Sequence, residues 1–344
     1  MTGKGRPVRR LPALAALLVS LATANIVSAQ TRTSFGSLQY ESPGLLVPVV
    51  FVISTREDGG EWSVGITGWT LTAESRAQLR EGRKLHVFAR LTPINANASN
   101  IVYEHGRRGT AGEYSALAAE GGVGVEVAHT PRWIGGYRAI VIYQRISDMP
   151  DARVSAFWRQ PFAGLEVTQQ YARVTADERF GSRWDGVKVL VAGRVAGGIH
   201  TWSRVQAAAG AGKRAGRFFI GGRGAVFAGA SLNVASAFVL GGAWDVPAAE
   251  MLPGYRYAEV RLARAATATA SVDWRIHGSW EIGMRESWLG APDRTSHGGA
   301  LQVATIWRGA AVTAGIAFPH SLPSVRGSRG TTAYASVAAA VIQR

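Results

Sequence analysis

The chain has no cysteine, and acidic residues number only 23 against 38 basic ones in a sequence of 344 residues. The absence of cysteine excludes disulfide bonds and cysteine-ligated metal sites. After residue 30 no run of eighteen uncharged apolar residues occurs, which excludes a membrane-spanning helix in that part. Glycine, by contrast, is frequent at 42 residues, which suits tightly turned, closely packed strands better than helices.

The N-terminus has the three parts of a secretory signal peptide. A basic stretch, MTGKGRPVRR, precedes the apolar stretch LPALAALLVSLATANIV, and Val27-Ser28-Ala29 supplies small residues for cleavage. We predict a signal peptide over residues 1–29, export from the cytoplasm and a mature chain from Gln30. An uncleaved N-terminal anchor is the alternative, and the Val-Ser-Ala ending favours cleavage.

The segment SVDWRIHGSWEIGMR, residues 271–285, alternates between two kinds of side chain along its whole length. Such alternation is typical of a strand, and about ten tilted residues are enough to cross a bilayer. We therefore predict one long membrane-crossing strand with an apolar outer face and a charged inner face. The outer, lipid-facing residues of this prediction are Trp274, Ile276, Trp280 and Ile282.

The charged face of this segment predicts the lining of a lumen. Asp273, Arg275, Glu281 and Arg285 share it, and the preceding segment offers Glu259 and Arg261 as partners. Opposite charges on neighbouring strands stabilise a sheet, so one interpretation is an ion-pair ladder. The other interpretation is a ring of charges that selects ions.

Many further segments alternate in the same way, and turn-like clusters separate them. We expect between twelve and sixteen strands, with a tight hairpin at Trp307-Arg308-Gly309 and a polar lead over residues 30–43. The stretch TAESRAQLREG is predicted as a short helix that begins at Thr72 and stops at Gly82. Regular short strands indicate a barrel or a sandwich. The all-β alternative to a membrane barrel is thus a soluble sandwich with an apolar core.

An enzymatic alternative rests on His277, Ser279 and Glu281. A hydroxyl, a base and an orienting carboxylate are what nucleophilic acyl transfer needs, and alternate positions of one strand share a face. The HGS stretch loosely resembles the His-x-Ser of an outer-membrane lipid A deacylase. The charged neighbours and the nearly 7 Å between alternate residues argue against a complete site on one strand.

Cofactor and metal sites are not predicted. The seven histidines are dispersed without the spacing of a metal site, and the glycine-rich stretches GVGVEV and GGRGAVFAG lack a phosphate-binding pattern. The sequence therefore predicts no cofactor.

The last third resembles the barrel domain of the bacterial surface-antigen superfamily, which includes assembly factors, two-partner secretion transporters and patatin-linked barrels. FVLGGAW (238–244) resembles the stretch before the family's inward-folded loop, and EMLPGYRYAEVRLARA (250–265) resembles the strand after it. SWEIG (279–283) is similar to the next strand, and GALQVATIWRGAAVTAGIAF fits the closing hairpin. The resemblance implies a membrane barrel with a loop folded into it.

The sequence departs from the family pattern at three places. The family's loop carries an arginine that meets a strand carboxylate, whereas this loop reads Trp244-Asp245-Val246-Pro247, so Arg256 or Arg261 is the candidate substitute. Glu281 stands in place of the family's aspartate, and Arg344 replaces the usual C-terminal aromatic residue. Apolar strands that begin near Leu45 leave no room for periplasmic POTRA repeats.

The sequence as a whole predicts a transmembrane antiparallel β-barrel over residues 30–344 in the bacterial outer membrane. Subtracting the leader's four basic residues from the formal charge of +15 leaves +11. We therefore expect a channel or transport/assembly barrel with a basic lumen; the alternatives are the acyl hydrolase and a purely structural barrel. Expected partners are outer-membrane lipids, lipopolysaccharide and anionic solutes, and no nucleic acid because no binding module occurs.

Overall fold

The computed structural model describes most of the chain after the predicted leader. The described residues are 31–41, 45–55, 59–68, 70–95, 101–104, 107–110, 115–147, 159–176, 184–232, 236–241, 260–292, 294–308, 310–319 and 331–343. The signal peptide predicted over residues 1–29 lies outside these ranges. Within them, no helix is long and apolar enough to span a membrane.

These residues form twenty β-strands. They are β1 (Thr31–Glu41), β2 (Leu45–Thr55), β3 (Glu61–Thr67), β4 (Thr70–Arg80), β5 (Arg83–Asn95), β6 (Ile101–Glu104), β7 (Arg107–Thr110), β8 (Ser115–Thr130), β9 (Trp133–Ser147), β10 (Arg159–Ala176), β11 (Trp184–Gly197), β12 (Thr201–Ala215), β13 (Phe218–Ala230), β14 (Phe238–Leu240), β15 (Val260–Leu262), β16 (Arg264–His277), β17 (Trp280–Ala291), β18 (Arg294–Trp307), β19 (Ala310–Pro319) and β20 (Thr332–Gln343).

Sixteen of the strands form one closed antiparallel barrel, which confirms the predicted fold class at the upper end of its strand number. Each strand pairs with its neighbour along the chain, except that β5 pairs with β8 and β13 with β16. The barrel closes where β1 pairs with β20, from Arg32 opposite Gln343 to Glu41 opposite Tyr334. The remaining strands form two short ribbons, β6–β7 and β14–β15.

The two ends of the barrel differ in the length of their connections. β1 begins and β20 finishes at the same end, where several connections are only two residues long, including 81–82, 131–132, 216–217, 278–279 and 308–309. We call this the turn end. The opposite end carries the connections 96–114, 148–158, 231–263 and 320–331, and we call it the loop end. In outer-membrane barrels the short turns are periplasmic and the long loops extracellular.

The helix predicted over TAESRAQLREG is wrong, because these residues form β4 and the turn after it. β4 pairs with β3 along Thr70–Arg76 and with β5 along almost its full length. Backbone pairing on both sides therefore outweighs the helical propensity of Ala, Glu, Gln and Arg. Gly82 does act as a stop, since its φ of +69° forms the turn that follows the strand.

The polar lead predicted over residues 30–43 is also wrong. Residues 31–41 form β1, which pairs with β2 on one side and β20 on the other. The stretch TRTSFGSLQYE has few apolar residues, and its strand character comes from the two partners that it joins.

The single long strand predicted over residues 271–285 is in fact a hairpin. β16 ends at His277, Gly278 adopts a φ of +55°, and β17 begins at Trp280. The alternation continues through the turn because the register shifts between Arg275 and His277. On the side of the shift away from the turn, Arg275 pairs with Glu281 in the same register as the rest of the ladder, so odd-numbered residues there lie on the inner face of both strands. By contrast, the predicted hairpin at Trp307-Arg308-Gly309 is confirmed, with Arg308 at a φ of +49°.

Candidate functional site inside the barrel

Ion pairs connect the inner faces of seven consecutive barrel strands, from β3 to β11. Alternate residues of these strands point inward, and their charged groups meet across one half of the wall. We call this set the inner network. It consists of Glu61, Glu74, Arg76, His86, Arg90, Glu120, Glu126, Arg138, Glu166 and Arg194.

Arg194 is the most buried cation of the inner network. Its Nη1 and Nη2 donate to the two carboxylate oxygens of Glu120 at 2.8 and 2.9 Å, and its Nε donates to Glu166 at 2.9 Å. Arg138 donates to the other oxygen of Glu166 at 2.6 Å. Bidentate geometry of this kind gives charge-assisted hydrogen bonds that also fix direction. The network therefore ties β8, β9, β10 and β11 together on their inner side.

Arg76 is the second centre of the inner network. Its guanidinium donates to Glu61 at 2.6 Å, Glu74 at 3.0 Å and Glu126 at 3.2 Å. His86 lies fully buried between two of these carboxylates, with each ring nitrogen 3.4 Å from Glu74 or Glu126. With five glutamates against four arginines, the network itself is close to neutral rather than basic.

Two glycines of β8 make room for this network. Gly122 and Gly124 lie between Glu120 and Glu126 on the inner face. A Cβ on Gly122 would come within 2.5 Å of the Phe88 ring, and a Cβ on Gly124 within 2.0 Å of the Tyr137 carbonyl oxygen. The glycine-rich stretch of this strand is thus explained by close packing inside the barrel.

An apolar layer lies beside the inner network. Large inward-facing side chains from β5, β9, β10 and β12 form it, and Leu232 from the connection after β13 packs against it. The buried members of this layer are Phe88, Ile140, Ile142, Phe162, Ala196 and Trp202. Side chains of this size reduce the open cross-section of the lumen.

The long connection 231–263 folds back onto the inner wall through the ribbon β14–β15. Phe238, Leu240 and Leu262 of the ribbon form one buried cluster with inward-facing residues of the barrel. The wall residues of this cluster are Ala225, Phe227, Ala265 and Leu289. Because these wall positions face inward, the ribbon lies inside the barrel, as the resemblance implied.

Arg204 of β12 holds the start of this connection. Its Nη1 donates to the carbonyl oxygen of Ser236 at 3.0 Å. Its guanidinium also lies 5.7 Å from the ring centroid of Phe238 on the ribbon and 6.0 Å from that of Trp202 on the wall. At these distances both rings contribute cation–π attraction. One wall arginine therefore joins the apolar layer to the ribbon.

The charged residues predicted for the lumen on β16 and β17 do point inward. Asp273, Glu281 and Arg285 are all buried, and Arg275 is partly exposed. Glu281 Oε1 lies 3.3 Å from Arg275 Nε and 3.7 Å from Arg214 Nη1. Asp273 accepts a hydrogen bond from Gln302 at 3.2 Å.

The predicted partners on the preceding segment are placed differently. Arg261 belongs to β15, which pairs with β14 and not with β16, so an ion-pair ladder across the lumen between Arg261 and the charges of β16 and β17 stays a prediction. Glu259, Arg256 and the loop residues 244–247 lie outside the described residues. Wall arginines therefore supply the described partners of Glu281, in the position where the family resemblance implied a loop arginine.

The four residues predicted to face lipid all point outward and are exposed. Trp274 is 42% and Trp280 52% exposed, and Ile276 and Ile282 are similarly open. Exposed apolar side chains continue around the barrel on the same face. Examples from other strands are Val123, Val141, Leu165, Val191, Val205, Ile220, Leu301 and Val337. An outward apolar surface of this extent is typical of strands that contact lipid.

Exposed aromatic residues concentrate near the turn end and form what we call the turn-end girdle. Its members are Trp133, Tyr171, Phe218, Trp274, Trp280 and Trp307. Phe218 and Trp274 stack with their ring centroids 6.3 Å apart. Aromatic girdles mark the level of the head groups in membrane barrels.

The three residues of the enzymatic alternative do not converge. Ser279 Oγ lies 3.0 Å from Thr305 Oγ1 and 3.4 Å from the Ile306 carbonyl oxygen, which it can reach as a donor. Glu281 is buried against Arg275, whereas His277 is exposed opposite Trp280. The turn at Gly278 separates the two strands, so the three residues do not share one strand face.

The inner network was not anticipated from the sequence, apart from its general character as a charged face. The signal was present, because glutamates and arginines recur at even-numbered positions of β4, β8, β9, β10 and β11. Because β4 was predicted as a helix, Glu74 and Arg76 were not recognised as inward-facing residues of a strand. Among the described residues, no group of three or more metal-binding side chains is found.

Comparisons with known proteins agree with this architecture. The sequence matches no protein-family model and no curated protein. BamA from Haemophilus ducreyi, lacking POTRA domains 1–3, is similar in structure with a TM-score of 0.66 and 9% identity, over 91% of this chain and 70% of that chain.

CdiB from Acinetobacter baumannii and CdiB from Escherichia coli match with TM-scores of 0.59 and 0.60, each at 9% identity and over 90% of this chain. The chain spans 60% and 63% of these two proteins, less than two thirds of either. At such identities the similarity establishes the fold alone: the described part of this chain forms a sixteen-stranded barrel, and its fold is similar to that of BamA and CdiB.

Proposed function

We propose that this protein is an integral barrel of the bacterial outer membrane that acts as a channel or a transport/assembly-type barrel. The observation that carries the proposal is the closed sheet of sixteen strands, apolar outside and charged inside. Eight strands enclose a space that side chains fill, whereas sixteen to eighteen leave room for an aqueous channel.

In the proposed resting state the lumen is narrow. The ribbon β14–β15 lies against the wall, the apolar layer lies beside it, and the loop-end ribbon β6–β7 lies next to β15. Displacement of the ribbon β14–β15 would widen the lumen. This arrangement supports a gated pathway rather than a permanently open pore.

The remaining expectations form part of the same proposal. Residues 1–29 would direct export, the outward face would contact outer-membrane lipids and lipopolysaccharide, and anionic solutes would be the preferred cargo. The sequence motifs around the ribbon and the similarity to BamA and CdiB barrels support membership of the surface-antigen superfamily.

Two measurements test the proposal in order. The first compares boiled and unboiled samples of the outer-membrane fraction on a gel, where we expect a mobility shift that marks a closed, detergent-resistant barrel. A soluble protein without a shift would contradict membrane insertion.

The second measurement is conductance across a planar bilayer for the wild type and Arg275→Glu. Arg275 faces the lumen beside Glu281, so the substitution places two carboxylates together and should move selectivity toward cations. The matched control is Arg264→Glu, an exposed arginine on the outer face of β16. A folded barrel with no conductance in any variant would favour the structural role.

A further inference from the structure

We propose that the turn end carries a binding surface for anionic glycerophospholipid head groups, formed by cations placed directly beside the turn-end girdle. The inference rests on the proposed membrane insertion and adds a lipid class and a location to it. It concerns the outer surface at the end opposite the long loops.

The pattern recurs at three separate turns. Arg132 immediately precedes Trp133, Arg217 immediately precedes Phe218, and Arg308 immediately follows Trp307. All three arginines are exposed, and so are the aromatic residues beside them. Aromatic residues of a girdle lie at the head-group level, so each arginine is held at the depth of the lipid phosphates.

Three more cations extend the surface along the strands. Arg83, Arg173 and Lys213 are exposed at the turn end of β5, β10 and β12. Their cross-strand partners Val127, Val187 and Ile220 belong to the outward apolar face. These cations therefore point outward at the edge of the apolar surface rather than into the lumen.

The charges at this end are strongly unbalanced. Outside the inner network, Glu81 and Asp185 are the acidic residues of its described turns and outer face, whereas Asp273 and Glu281 are buried on the inner face. Asp185 lies 3.9 Å from Lys213, which remains 79% exposed, so this pair neutralises little. No ion pair is formed by Arg132, Arg217 or Arg308 in the part of the chain that the structure describes. Basic clusters next to a membrane attract anionic lipids.

Backbone hydrogen bonds fix two of the turns, and a ring contact holds the guanidinium at the third. The backbone amides of Arg132 and Trp133 donate to Thr130 Oγ1 at 3.3 and 3.1 Å. The carbonyl oxygen of Arg217 accepts a hydrogen bond from the amide of Arg275 at 2.7 Å. The guanidinium of Arg308 lies 5.0 Å from the ring centroid of Trp307. The turns are thus ordered, which lowers the entropic cost of binding a head group.

The experiment uses quenching of tryptophan fluorescence by brominated lipids in vesicles that contain the full-length protein. Trp133, Trp307 and Trp274, which stacks on Phe218, report on lipids at the three turns. Brominated phosphatidylglycerol is compared with brominated phosphatidylcholine at equal mole fraction. We expect phosphatidylglycerol to be preferred by about twofold or more in the wild type, and the preference to fall in high salt because the charges are exposed.

The test variant combines Arg132→Gln, Arg217→Gln and Arg308→Gln, and the control is Arg264→Gln at the loop end. Loss of the preference in the triple variant, with the control unchanged, is the expected result. A preference that survives the triple substitution, or a wild-type preference insensitive to salt, would overturn the proposal. The salt test still applies if the triple variant does not fold.

Failure of the proposed membrane insertion is distinguishable from failure of lipid selectivity. Insertion into pure phosphatidylcholine vesicles, read by the gel shift, needs no anionic lipid. A protein that does not insert at all contradicts the barrel proposal, whereas one that inserts but shows equal quenching by both lipids contradicts only this inference.

Discussion

Arg194 holds Glu120 through two parallel hydrogen bonds of 2.8 and 2.9 Å, although the two residues are 74 positions apart and lie on strands separated by two others. The pair spans β9 and β10 on the inner side of the wall. Backbone pairing fixes only neighbouring strands, so this contact adds a constraint between strands that do not touch. The first prediction follows from it.

Replacing Glu120 by Gln should destabilise the barrel. Arg194 would lose one carboxylate partner in a buried setting, and breaking such a pair costs about 3 kcal/mol. The free energy of unfolding by urea in lipid vesicles measures the effect. The control is Asp185→Asn, whose 3.9 Å pair with Lys213 is exposed and should contribute less than about 1 kcal/mol. Equal effects of the two variants would contradict an energetic role for the inner network.

Adding a methyl group at Gly124 should disturb the same region. In Gly124→Ala the new Cβ would approach the Tyr137 carbonyl oxygen to 2.0 Å and crowd the Arg138 side chain, so the backbone of β8 or β9 must move. Overpacking typically costs about 1–3 kcal/mol. Gly290→Ala is the control, because its Cβ would meet no atom within 4 Å. The temperature at which the band of the folded barrel converts to the band of the unfolded chain on the gel should fall for Gly124→Ala alone.

The gated pathway predicts that loosening the ribbon increases conductance. Leu240 is completely buried in the ribbon cluster, and Leu240→Ala should weaken ribbon docking by about 2–5 kcal/mol. Val239 points to the other face of β14 and is only partly buried, so Val239→Ala is the matched control. Planar-bilayer recordings should show more frequent or larger openings for Leu240→Ala. Unchanged recordings from a folded Leu240→Ala barrel would argue against the ribbon as a gate.

The outward face predicts that the folding free energy lost on introducing an arginine depends on the depth of the substituted residue in the membrane. Val191 lies in the middle of β11 on the outer face, so Val191→Arg should cost about 2–4 kcal/mol of folding free energy in a bilayer. Ile276 lies near the turn end, where the same substitution should cost about 0–1 kcal/mol. Unfolding titrations of both variants in vesicles provide the comparison. A reversed order would place the membrane elsewhere along the strands.

Ser279→Ala tests the enzymatic alternative directly. Because the hydroxyl is engaged with Thr305 and the Ile306 carbonyl oxygen, we expect a loss of about 1 kcal/mol of stability and no change in released fatty acid. Mass spectrometry of membrane lipids from cells expressing each form supplies the readout. A fatty acid that disappears only in the variant would restore the hydrolase interpretation.

The fold was largely predictable because alternation marks each strand separately. Trp274 and Ile282 are exposed and Asp273 is buried, as the alternation indicates, even though the hairpin between β16 and β17 was missed. The reason is specific: a two-residue turn inverts the alternation, and the irregularity between Arg275 and His277 inverts it back. A sequence pattern with period two cannot reveal two changes that cancel.

The site was less predictable because its contacts are not local. Nothing in the sequence indicates that Glu120 and Arg194 form a pair. Their pairing depends on the registers of β8 with β9, β9 with β10, and β10 with β11. Glu74 and Arg76 were missed for another reason, since Ala, Glu, Gln and Arg favour a helix when no partner strand is known. Strand β1 was missed for a similar reason, because its strand conformation depends on its pairing with β2 and β20.

The pairing of β1 with β20 has a consequence for how the molecule is made. Arg32 meets Gln343, so the ring cannot close until practically the whole described chain has been delivered. Until that moment, any partly assembled sheet has two unpaired edges that invite association with other chains. Closure also joins the most distant segments, which makes it slow. We therefore expect the newly exported polypeptide to depend on a holding factor, and its most vulnerable interval to be the time between export and ring closure.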